Sequence, residues 1–99
     1  MDEDLVTRAI VVWLGWGRAA WPHRNEATLV AEFGTDVAVD VLPEVRRLER
    51  EFYMSDAWRV APDLSTMGDQ AAAEFRARHP EIGEDAVEAL AWSYTFDYR

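Results

Sequence analysis

Ninety-nine residues with nineteen acids, ten bases and a formal charge of −9 form one domain that is repelled by nucleic acid and by anionic membrane. There is no cysteine, which excludes disulfides, thiolate metal sites and cysteine nucleophiles and fits a reducing, cytoplasmic setting. Every base is arginine, a usage that together with the Ala- and Val-rich composition suggests a GC-rich genome.

The chain opens Met1-Asp2-Glu3-Asp4, the wrong charge for the start of a secretory leader. The apolar run at 9–16 is far shorter than the ~20 residues that span a bilayer. Leu5, Val6, Ala9, Ile10, Trp13, Trp16, Gly17 and Ala20 recur at helical steps, and Val11 and Leu14 fill the other side. This predicts a mostly buried helix over 4–20, ended by Trp21-Pro22. The acids at its start suit the helix dipole. Gly15 and Gly17 inside it imply close approach by another helix. They do not make a nucleotide-binding loop, for the third glycine and the preceding strand are missing.

A second helix is predicted over 25–41, capped by Asn25. Leu29, Val30, Phe33, Val37 and Val41 form its stripe, which passes through Gly34 in phase. The segment 37–41 also alternates like a strand. Pro43 closes this element and opens a surface helix over 43–54, with Val45, Leu48 and Phe52 inward. Residues 55–66 read as a loop or single turn, with Trp58 as an anchor. Thr66 and Asp69 suggest the start of a fourth helix that buries Met67, Ala71, Ala72 and Phe75 and stops at His79-Pro80. A fifth helix begins near Gly83, with Val87, Leu90, Ala91 and Tyr94 on its stripe. It is predicted to reach about residue 94 and to give way to an extended tail.

The expected fold is therefore all-α: a single domain, 1–99, of about five helices around the first. The alternative is α+β, with short strands near 37–41 and 92–98. In that case Trp92, Tyr94, Phe96 and Tyr98 would share one strand face, and the exposed edge could pair in a homodimer.

No residue pattern points to a cofactor or a metal. His23 and His79 are far apart, and no HExxH or GxSxG motif occurs. The pattern above background is a row of acids, Glu32, Asp36, Asp40 and Glu44, bordering an apolar stripe. Like charges four apart disfavour a helix, so such a row suits a docking edge for a basic protein. It equally suits a solvated face balanced by Arg46, Arg47 and Arg50. Trp58 and Trp92, among more large rings than so small a core can hold, are candidate contact residues. The expected function is a non-catalytic acidic module that masks a basic protein, after the manner of a bacterial immunity protein or antitoxin. Two alternatives stand beside it: a DNA mimic, and a small enzyme or ligand-binding domain with a Trp-lined pocket.

Overall fold

The structure, a computed structural model, describes residues 2–99; Met1 lies outside the described residues. The described residues form six helices and no strand: α1 (Glu3–Leu14), α2 (Glu26–Phe33), α3 (Thr35–Phe52), α4 (Ala57–Val60), α5 (Leu64–Arg78) and α6 (Glu84–Asp97). The all-α expectation holds, and the two strands of the alternative are helical instead. α1 packs on α2, α3 and α6, while α6 also packs on α5, and α3 on α2 and α5. One apolar core runs through all of them. No helix among the described residues is long and apolar enough to cross a membrane.

α1 starts at Asp2, whose carboxylate accepts from the Asp4 N–H. It ends at Leu14, six residues before the predicted stop. Gly15 takes a left-handed conformation with φ 82°, which closes a helix at no steric cost to glycine. Neither Gly15 nor Gly17 lies inside a helix: both are turn glycines, and what comes close to Gly15 is the His23 ring of the following loop rather than another helix. The loop that follows folds back over the end of α1. The Gly15 and Trp16 N–H groups bond to the Val11 carbonyl, and the His23 N–H bonds to that of Leu14. His23 Nδ1 lies 2.9 Å from the Trp13 carbonyl oxygen. A carbonyl only accepts, so Nδ1 carries the proton. The orphan carbonyls of a buried helix end are thereby satisfied.

The predicted second helix is two helices. Gly34 stands at φ 85°, ψ 161°, a conformation nearly restricted to glycine, and the chain reverses there. Leu29, Val30, Ala38, Val39 and Leu42 line the crease between the two arms. Arg46 reaches across to Glu26 at 2.8 Å. Folding back buries Leu29 completely, which a single straight helix would not do. Conversely, α3 runs straight through Pro43, predicted as a boundary. Ala38, Val41, Leu42, Val45, Leu48 and Phe52 form one unbroken buried stripe across it. Burying that stripe outweighs the ~3 kcal/mol of an interior proline. The carbonyl that loses its donor belongs to Val39, on the exposed side of the helix.

α4 is the single turn predicted within 55–66. α5 begins earlier than the Thr66 start, because the Asp63 carboxylate caps the Thr66 N–H at 2.7 Å. α6 continues to Asp97, so the predicted extended tail is helical. Its aromatic side chains lie on more than one side of the helix, and each side finds packing partners. Tyr94 is buried between Phe52 and Tyr53. On another side Trp92 meets Trp16, with ring centroids 5.2 Å apart.

Candidate functional site

The six residues singled out from sequence fall in three separate places: the acids on the α2–α3 hairpin, Trp58 on α4 and Trp92 on α6. Glu32 is on α2, across the Gly34 reversal from Asp36, Asp40 and Glu44 on α3, so the row does not lie on one helix. Trp58 sits on α4, near the far end of α3. Asp36 and Phe52 alone are about 24 Å apart along the axis, at ~1.5 Å per residue. Trp92 faces a groove on the side where Trp16 packs.

The acidic surface is smaller than the row suggested. Residues 26–44 contain five acids and no base. Arg18 lies 3.3 Å from Glu32, Arg46 pairs with Glu26, and Arg47 pairs with Glu44 and Glu51. The balancing arginines are thus not the three expected: Arg18 was missed, and Arg50 forms no ion pair among the described residues. Asp36 and Asp40 are likewise in no ion pair among those residues. They flank Val39, which is 65% exposed, and Val30 across the crease is 40% exposed. Two unpaired carboxylates beside two exposed valines therefore make up this edge.

The second surface is a groove of about 630 Å³ between α5 and α6. Leu64, Gly68 and Asp69 come from α5; Glu88, Trp92 and Phe96 come from α6; Trp16 closes one side. A Cβ on Gly68 would stand 3.0 Å from Thr95 Cγ2, so the two helices are nearly in contact at its floor. The Arg99 guanidinium carbon lies 4.4 Å from the Phe96 ring centre. Trp16, Trp92 and Phe96 are among the surplus large rings of the sequence, of which Trp92 alone in this groove is a contact candidate from sequence. The rest come from a loop and two helices, and no periodicity joins them.

Trp58 is an anchor only in part. Its backbone N–H donates to the Tyr94 hydroxyl at 3.0 Å, and that hydroxyl donates to the Ser55 carbonyl at 2.7 Å. The indole itself is 49% exposed and stacks on Tyr98 at 5.4 Å. Met54, Val60 and Leu64 are exposed as well.

One polar cluster escaped the sequence reading. Arg24, from the loop after α1, bonds Glu49 at 2.6 Å, the Tyr53 hydroxyl at 3.2 Å and Asp97 at 3.3 Å. The Tyr53 hydroxyl donates to Asp97 at 2.6 Å and lies 2.8 Å from Ser93 Oγ. Burial, reinforced by the Asp97 carboxylate, pushes the Tyr53 phenol well above its ordinary value. It stays protonated as a donor, so the cluster ties the loop to α3 and α6 rather than activating a nucleophile. His79 caps α5 with Nε2 at 2.7 Å from Glu51 and Nδ1 at 3.4 Å from Glu81. Among the described residues no group of three or more His, Asp or Glu is arranged to hold a metal ion.

Four carboxyl groups are held below their ordinary values. Arg47 does this to Glu44, His79 to Glu51, Arg76 to Glu84, and the Thr66 N–H to Asp63. A carboxylate with a depressed folded pKa contributes stability that is complete above its unfolded value. That contribution is lost as pH falls through the folded value. The ordinary values are 4.5 for Glu and 3.8 for Asp. The urea midpoint is therefore expected to hold between about pH 7 and 5 and to drop below about pH 4. A midpoint that rises on acidification would show that relief of the −9 self-repulsion outweighs these ties.

Compared with models of known protein families, with curated proteins and with solved structures, the chain matches none.

Proposed function

We propose that this protein is a non-catalytic module that binds and masks a basic protein, in the manner of an immunity protein or antitoxin. One observation carries the reading: Asp36 and Asp40 are free of ion pairs among the described residues and flank the exposed Val39 on the α2–α3 hairpin. Apolar side chains at the centre of a patch with carboxylates around them suit a basic partner, because the charges steer and orient while the valines are buried. The lack of cysteine supports a cytoplasmic place of action. A DNA mimic draws less support, since three of the five carboxylates in residues 26–44 are engaged by arginines.

The test is affinity capture from the native host's lysate at low and high salt, with Asp36→Arg/Asp40→Arg beside the unaltered chain. The expected result is one basic partner that the double reversal weakens by about 100-fold or more, since like charges placed across an interface cost several kcal/mol. Capture indifferent to both salt and the reversal would remove the hairpin edge from the account.

A second reading, a ligand-binding domain with a Trp-lined pocket, is favoured by the α5–α6 groove. It is the larger concavity of the two described, and it is lined by Trp16, Trp92 and Phe96.

A further inference from the structure

We propose that the groove between α5 and α6 is a binding site for an arginine side chain presented by a peptide segment of a partner. Its walls are aromatic: Trp16 and Trp92 meet at 5.2 Å, and Phe96 follows one turn along α6. Its rim carries Asp69 from α5 and Glu88 from α6. Neither is in an ion pair among the described residues. Ring faces and free carboxylates together select a planar cation, which stacks on the rings and bonds the carboxylates through its fork of N–H groups.

The chain supplies its own demonstration of that chemistry. The Arg99 guanidinium lies 4.4 Å over the Phe96 ring, within the groove. It occupies one ring face with the group the site takes, and it adds the one positive charge of the lining. Arg99 therefore competes with an incoming arginine both for space and by repulsion. An uncharged apolar segment would gain nothing from Asp69 and Glu88, and an acidic one would be repelled by them. The site is apart from the Asp36–Asp40 edge and does not depend on it.

The experiment is a titration of the ¹⁵N-labelled protein with the capped tripeptide acetyl-Gly-Arg-Gly-amide, read at the five tryptophan indole N–H signals. The counterpart with citrulline, a neutral near-isostere of arginine, is titrated in parallel. Saturable shifts confined to Trp16 and Trp92 are expected with arginine, and binding at least about five-fold weaker with citrulline. Asp69→Asn/Glu88→Gln is expected to weaken the arginine peptide about three- to ten-fold, with the buried Trp13 signal unmoved as the check on folding. Arg99→Ala is expected to tighten it about two- to five-fold. Equal binding of citrulline, an unchanged affinity in the double variant, or shifts at Trp21 or Trp58 instead would each overturn the proposal. So would still signals up to about 20 mM peptide, a weak limit even for a single side chain. The titration contains no partner protein, so its outcome is separate from that of the capture experiment.

Discussion

Phe52→Ala is expected to lower stability by about 3–5 kcal/mol, the usual result of emptying a buried phenylalanine site. Phe52 ends the stripe of α3 and is fully buried. Its ring meets Phe75 of α5 at 5.3 Å and Tyr94 of α6 at 5.7 Å. Three helices thus converge on one side chain, and none can move in to fill the space without leaving its other contacts. A domain of this size has about 5–15 kcal/mol in total, so the loss takes a large share. The melting temperature should fall by roughly 15–30 °C. Phe52→Leu, which keeps most of the volume, should cost under about 1.5 kcal/mol. Urea unfolding of both variants checks this. A loss below about 1 kcal/mol for the alanine variant would mean that the ring is not the junction of the three helices.

Gly15→Ala is expected to cost about 2–4 kcal/mol, and Gly17→Ala only about 1–2 kcal/mol. Both glycines stand at φ 82°, so an alanine at either meets the same left-handed strain. They differ in their surroundings. A Cβ at Gly15 would lie 2.5 Å from His23 Nε2 and 2.9 Å from Ala19 Cβ, whereas a Cβ at Gly17 meets nothing within 4 Å. The His23 ring is held by its bond to the Trp13 carbonyl. If it is pushed aside, that carbonyl at the end of α1 loses the nearer of its two donors and keeps only the Asn25 N–H at 3.4 Å, and the displaced Nδ1–H loses its acceptor, at a cost of about 1–3 kcal/mol. The difference between the two variants in urea unfolding isolates the collision. Equal losses would show that the ring moves freely and that the loop over α1 is not fixed by it.

The same loop shows where sequence reasoning stopped short. The stripe Leu5, Val6, Ala9, Ile10 and Trp13 predicts a helix well, but Trp16 and Ala20 continue its spacing by chance. The period cannot say where the helix ends. The end is set by the carbonyls of α1, which His23, Asn25 and Thr28 come back to satisfy. Those partners lie nine to sixteen residues along the chain from the carbonyls they meet. A window of local spacing does not see them.

Gly34 and Pro43 exchanged roles for a related reason. Local rules rank proline as the stronger breaker. In the folded chain the hydrophobic stripe from Ala38 to Phe52 is buried on both sides of Pro43, so the helix gains by running on. At Gly34 the chain gains by turning back, since the hairpin buries Leu29 against α3. Each outcome depends on which surface is available to cover an apolar face.

Of the candidate contact residues, the acids were legible as a pattern and not as a surface. Glu32 and Glu44 read the same as Asp36 and Asp40 along the chain. Only the fold brings Arg18 to the first and leaves the middle two unpaired. The aromatic groove was legible only as an excess of large rings.

Composition and periodicity by themselves determined the class of this protein: helical, acidic, cysteine-free, with Phe52, Phe75, Leu90 and Tyr94 facing inward. Those properties are local, because each follows from one residue or one helical face. The tertiary structure alone decided where α1, α2 and α6 end, which carboxylates keep their charge unpaired, and that Trp16, Asp69, Glu88 and Phe96 share one groove. These depend on groups far apart in sequence, which only the packing of one helix face on another brings within contact distance.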